Sequence, residues 1–351
     1  MAEKLVQTKK SYYVDDGQKR GPLTMFRLRH HPDGKHLFGQ CVDRRLALWN
    51  LEAETVKVKK GEYVVGSLVC PHAAGWIRGF DVHPAGDSIV TGGSDRQLRL
   101  WKWEGDRPSE EPSAVSAAHA GWIEAVAFSP DGTRLATVGA DKQLKLWDAG
   151  KLSLVAAAPA HLGYPRDLAW TPDGSRIVTG GEDGQLLVWN PEGLQPVAAI
   201  TFGQVNDQQG QNPPLSGVYR LTISRDGRWL AAAGAKQTAL FELATGQGVA
   251  FVKEAGVDVA FHPQHDLLAV GEGQLHVWRY DADKFSPQPL SGEKEKDGKP
   301  KSLSLPSLSG REIANLKRGD YGQGIRFLAD GRRLAVAKAD GVVDLWELTG
   351  S

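Results

Sequence analysis

Short apolar runs recur along the chain, each broken by a polar turn, and the third copy shows the pattern best. Residues 122–128 (Trp-Ile-Glu-Ala-Val-Ala-Phe) are rich in strand formers. Asp131-Gly132 follows as a turn pair, because glycine accepts positive φ without steric penalty and aspartate tolerates it. Residues 134–138 make a second strand and 139–142 turn again. Residues 143–147 (Gln-Leu-Lys-Leu-Trp) alternate with period two as a third strand, and 153–156 make a fourth. No segment has convincing helical periodicity.

The unit repeats. In five copies 17 residues separate the turn from an aromatic: Pro32 to Trp49, Pro84 to Trp101, Pro130 to Trp147, Pro172 to Trp189 and Ala329 to Trp346. Two copies between them are shortened: Arg225 to Phe241 is 16 and Pro263 to Trp278 is 15. A four-stranded unit of about 45 residues cannot bury both of its faces alone, whereas radial stacking buries both and leaves only short edges. The expectation is therefore one all-β domain over residues 1–351: a seven-bladed β-propeller of four-stranded antiparallel blades. The last copy ends near Leu348 with three strands. Residues 6–14, with Tyr12-Tyr13-Val14, are expected to supply the fourth and lock the ring, since loop-closure entropy grows slowly with length. Two insertions interrupt the spacing, 203–217 and 281–319, the second with a mixed-charge run at 293–301. Both read as surface loops, with 311–316 supplying or adjoining a sheet edge.

Polar residues recur in register with the strands. Aspartate stands six before tryptophan in five copies: Asp43/Trp49, Asp95/Trp101, Asp141/Trp147, Asp183/Trp189 and Asp340/Trp346. Three copies add Thr91, Thr137 and Thr179, and the same three add His72, His119 and His161. This pattern resembles the His–Thr–Asp–Trp hydrogen-bond tetrad of WD-repeat propellers, and the resemblance spans nearly the whole chain. Alanine content, scarce Cys and Met, and Pro-Asp-Gly turns are similar to bacterial members. The chemistry of the set is structural: bonds run from the carboxylate through imidazole and hydroxyl to an indole N–H, which can only donate. A His–Asp–Thr set also suggests acyl transfer, but a catalytic triad occurs once per site and these recur at blade intervals. Copies five and six lack the aspartate and are the shortened ones, so they are expected to form the less rigid part of the ring.

The resemblance places the blade-to-blade loops and the Asp-bearing turns on one face. Trp76, Trp122 and Tyr164 follow the tetrad histidines there, with Arg78, Glu124 and Arg166 two positions on. Aromatics and arginine are typical binding residues, so these six are the candidate partner-binding set. Composition narrows the alternatives. Lys+Arg and Asp+Glu both number 42, and zero net charge argues against nucleic acid as the main partner. Two cysteines are too few for a disulfide framework or a paired-thiol metal site. His30-His31 are strand neighbours that point to opposite sides, so no metal and no cofactor are expected. The absence of an apolar leader or an 18-residue apolar run suggests a cytoplasmic chain with no membrane partner. The expected function is a non-catalytic scaffold for proteins or peptides, a monomeric propeller within a larger complex. The alternative is a hydrolase or other enzyme in the central funnel, for which Asp81, Asp167 and Asp258 on first strands are the groups to inspect.

Overall fold

The computed structural model describes residues 4–14, 23–41, 43–58, 61–202, 205–206, 217–234, 238–252, 257–271, 273–285, 287, 303–304, 308, 310–338 and 340–349. It is an all-β propeller of four-stranded antiparallel blades, with no α-helix among the described residues. The third sheet is typical: Ile123–Phe128, Arg134–Gly139, Gln143–Asp148 and Ser153–Pro159 pair in sequence order. The first, second, fourth and fifth sheets start at Met25, Ile77, Pro165 and Val218 and follow the same order.

One expectation is met only in part. Six sheets of four or more strands form among the described residues, not seven separate ones. Gly310–Phe327 is a single 18-residue strand that pairs along its first part with Gly273–Tyr280 and along its second with Arg333–Lys338. It thereby fuses two strand sets into one nine-stranded sheet. Residues 310–319, counted with the insertion by sequence, thus belong to a strand. The remaining described parts of the two insertions meet each other: Val205–Asn206 pairs in parallel with Leu303–Ser304. The rest of 203–217 and 281–309, and the shortened turns at 235–237 and 272, lie largely outside the described residues.

Lys4–Tyr13 pairs antiparallel with Val343–Thr349, Lys4 opposite Thr349 and Tyr12 opposite Val343. Tyr12 and Val14 are buried with Leu28, Trp49, Ala335 and Val343 in one hydrophobic cluster. The Trp49 ring N–H donates to the Tyr13 carbonyl at 3.1 Å. Gly39 and Gly66 are required beside that ring, because a Cβ at either would meet it within 2.9 Å. Six further clusters fill the gaps between successive strand sets, for example Val90 and Leu100 against Ile123, Phe128 and Trp147. Apolar burial between sheets is therefore the dominant stabilising term. Histidines add polar links at the end of the strands away from the Asp-bearing turns. The Nε2 atoms of His31, His83 and His262 lie 2.8, 3.1 and 2.7 Å from the turn carbonyls of Gly86, Gly132 and Gly331 on the following strand set.

Candidate functional site

In the second to fourth sheets the turn between second and third strands carries Asp95, Asp141 or Asp183. The next residue is left-handed in each: Arg96 at φ 67°, Lys142 at 64° and Gly184 at 72°. Arginine and lysine there are strained by roughly 1 kcal/mol. The aspartate offsets that strain by accepting the amide of Gln97, Gln143 or Gln185 at 3.2–3.3 Å.

From this turn the polar chain runs inward. In the third sheet Trp147 Nε1 donates to Thr137 Oγ1 at 2.9 Å, the hydroxyl meets His119 Nε2 at 2.7 Å, and His119 Nδ1 meets Asp141 Oδ1 at 2.8 Å. In the fourth sheet Trp189, Thr179, His161 and Asp183 join at 3.0, 2.9 and 2.9 Å. In the second, Trp101, Thr91 and His72 join at 2.9 and 2.8 Å, but Arg99 Nη1 reaches Asp95 at 2.7 Å, closer than His72 at 3.1 Å. Burial, with Arg99 beside the ring and against Asp95, holds His72 below the usual imidazole range. All three threonines are fully buried against indole rings, which leaves no exposed nucleophile in these sets.

The six candidate surface residues lie together beside these turns. The Trp76 carbonyl accepts from Ser94, the Trp122 carbonyl from Ala140, and the Tyr164 carbonyl from Glu182. Trp76, Trp122 and Tyr164 are 55%, 52% and 46% exposed. The Arg78 guanidinium lies 5.2 Å from the Trp122 ring centre and that of Arg166 lies 6.0 Å from Tyr164. Arg78 donates to Glu124 through Nε at 3.0 Å and Nη2 at 2.7 Å. Arg166 reaches the same Glu124 oxygen at 3.5 Å and also pairs with Glu182.

A local irregularity aims these side chains. The first strands of five sheets each carry a bulge at the same place, and the residues it skips are Phe26, Arg78, Glu124, Arg166 and Tyr219. A bulge re-aims one side chain out of the alternation. All five line one central cavity of about 490 Å³. Phe26, Tyr219 and Arg220 escaped the sequence reading. The signal was present, since each bulged residue stands six before the first residue of the following turn: Phe26/Pro32, Arg78/Pro84, Glu124/Pro130, Arg166/Pro172 and Tyr219/Arg225.

Deeper in the channel the three aspartates are tied to neighbouring strand sets. Asp81 Oδ2 accepts from Phe128 N at 3.0 Å, Asp167 Oδ2 from Leu221 N at 3.0 Å, and Asp258 Oδ2 from Ile325 N at 2.7 Å. Arg29 pairs with Asp81 at 3.2 Å, and Arg27 lies 3.0 Å from Asp167. Since Arg27 is on the first sheet and Asp167 on the fourth, that pair spans the channel. Burial lowers Arg220 and Arg326 to about 10 and raises the Asp258 carboxyl.

The family model of the WD domain, G-beta repeat (WD40), matches residues 65–102, 110–148 and 153–190. These are the stretches around the three complete His–Thr–Asp–Trp chains. No curated protein matches the chain.

Proposed function

We propose that this propeller is a non-catalytic platform that holds partner proteins or peptides on the face bearing the Asp turns and the sheet-to-sheet loops. The observation that carries this reading is the trio of half-exposed aromatics, two with an arginine against the ring, set around a cavity built by repeated bulges. Large rings exposed beside arginine are the composition of binding hot spots. WD40 repeats generally mediate protein association, which supports the same conclusion. The His–Thr–Asp–Trp sets serve the scaffold. Asp81, Asp167 and Asp258 are committed to amides and arginines, which weighs against a hydrolytic site in the channel.

The platform is inferred to have seven units. Among the described residues, seven apolar clusters between neighbouring strand sets support that number. Pairing of Lys4–Tyr13 with the last strand supports closure of the ring. The corresponding setting is a cytoplasmic propeller, itself monomeric, working inside a larger protein complex without nucleic acid or membrane. Replacing Trp76, Trp122 and Tyr164 together by alanine should leave the melting temperature within a few degrees and abolish affinity capture of partners from the native cell. Undiminished capture by a folded triple variant would sink the assignment of this face.

A further inference from the structure

The cavity at the centre of the proposed face is unevenly charged. Arg78, Arg166 and Arg220 line it against a single carboxylate, Glu124. Two of these arginines are satisfied: Glu124 binds Arg78 and Arg166 together, and Glu182 takes Arg166 from the other side. Arg220 is different. Among the described residues it has no carboxylate within 4.0 Å. Its Nη1 donates only to the adjacent Tyr219 carbonyl at 2.9 Å, and its buried Nε has no partner. The carboxylates whose field it feels, Asp167 and Asp258, each spend Oδ2 on an amide of the next strand set, and the other Asp167 oxygen faces Arg27. Arg220 is half-buried, so its head group still meets solvent at the cavity mouth while its Nε is shut in without a partner, and a bound anion would supply the missing acceptor.

The rest of the lining says what carries the anion. Gln40 and Cys41 also line it, and Phe26, Trp76, Ile77, Tyr219 and Val257 make the rest of the wall apolar. The Gln40 amide already donates to the Ile77 carbonyl, so such a wall offers little to a small inorganic ion, but it packs well against the methylenes and backbone of a peptide. The volume suits one or two side chains. Resting on the platform reading above, we propose that this cavity receives an acidic side chain of a partner peptide, with Arg220 as its counter-ion and Trp76, Phe26 and Tyr219 as the apolar collar.

The test uses the full chain and a fluorescein-labelled hexaglutamate peptide, followed by polarisation, with hexalysine as the control. The wild type should bind hexaglutamate and not hexalysine, more weakly as salt rises. Arg220→Met should bind hexaglutamate about tenfold or more weakly, the effect of losing a charge-assisted bond. Its melting temperature should stay within a few degrees, because the lost guanidinium is half-buried and its one buried nitrogen, Nε, has no partner to lose. Equal binding by wild type and Arg220→Met, or none by either, would overturn the proposal. Inorganic phosphate that displaces hexaglutamate at equimolar concentration would also overturn it, by marking a free-anion site. If Arg220→Met does not fold, Arg220→Lys replaces it, with weakened binding expected and undiminished binding counting against the site. Partner capture that survives at position 220 but fails in the triple aromatic variant would refute the carboxylate site and leave the platform standing. Capture indifferent to both would refute the platform itself.

Discussion

In the third sheet the Trp147 ring N–H has a hydroxyl acceptor at 2.9 Å, whereas between residues 217 and 280 the equivalent positions are Phe241, with no N–H, and Trp278, whose buried Nε1 has no partner. The second to fourth sheets stabilise a buried indole with a polar chain reaching the surface turn. The fifth removes the need, packing Phe241 with Phe202, Phe251, Ala232 and Ala239. The strand set Asp258–Phe261, Leu267–Gly271 and Gly273–Tyr280 keeps the indole and drops the chain, since by sheet register Val270 stands where threonine would be. The energetic lesson is an asymmetry. Removing both partners of a buried hydrogen bond is nearly neutral, but leaving one unsatisfied costs about 1–3 kcal/mol.

The largest break in this comparison comes at the seam. Deleting residues 1–14 removes Tyr12 and Val14 from a buried cluster, uncovers the Val343–Thr349 edge and takes away the Trp49 acceptor. If the polar chains only reinforce a ring held by apolar packing, the whole protein should melt in one transition, lower than for any substitution below. A surviving second transition at the wild-type temperature would mean that the three chains hold their arc without closure.

Next in size is Thr137→Val. It strands the Trp147 N–H and leaves His119 Nε2 without its hydroxyl, so urea unfolding should show a loss of about 2–4 kcal/mol. A loss under 1 kcal/mol would show that the chain is ornament on an apolar core.

Much of this contrast was readable before any coordinates. Register alone picked out His119, Thr137, Asp141 and Trp147, because the side chains of one hydrogen-bonded chain must recur at fixed strand offsets. The exposed Trp76, Trp122 and Tyr164 were placed on that face by the resemblance to WD-repeat propellers, from their position after the histidines. Two things were not. The bulge that turns Phe26 and Tyr219 into the cavity is a backbone irregularity, and a period-two reading assigns those residues to a sheet face instead. The fusion of two strand sets by Gly310–Phe327 depends on pairing partners far apart in sequence, which local turn signals do not specify.

Acid separates the two regions more gently. Burial pushes the Asp183 carboxyl up, but the His161 ring and the Leu162 and Gln185 amides outweigh it and hold it at about 2. A carboxyl held below its unfolded value of 3.8 contributes stability above pH 3.8, and that contribution is lost as pH falls toward 2. The loss should be about 1 kcal/mol once solvent screening is allowed for. Urea midpoints at pH 5 and pH 2.5 should therefore converge partly in Asp183→Asn; an unchanged difference would remove this aspartate from the acid response.

The smallest effect is the most discriminating, because its sign is at issue. Trp147→Phe deletes a satisfied N–H along with indole volume, and should destabilise by about 2 kcal/mol. Trp278→Phe removes the same volume but also an N–H with no partner, so the two terms oppose and the change should stay within about 1 kcal/mol of zero. Thr238→Val isolates the polar term. Its Oγ1 is buried without a partner, and the exchange should raise stability by about 1 kcal/mol. If Trp278→Phe costs as much as Trp147→Phe, the indoles act through packing alone, and the two arcs of this propeller differ in sequence pattern but not in how they are held.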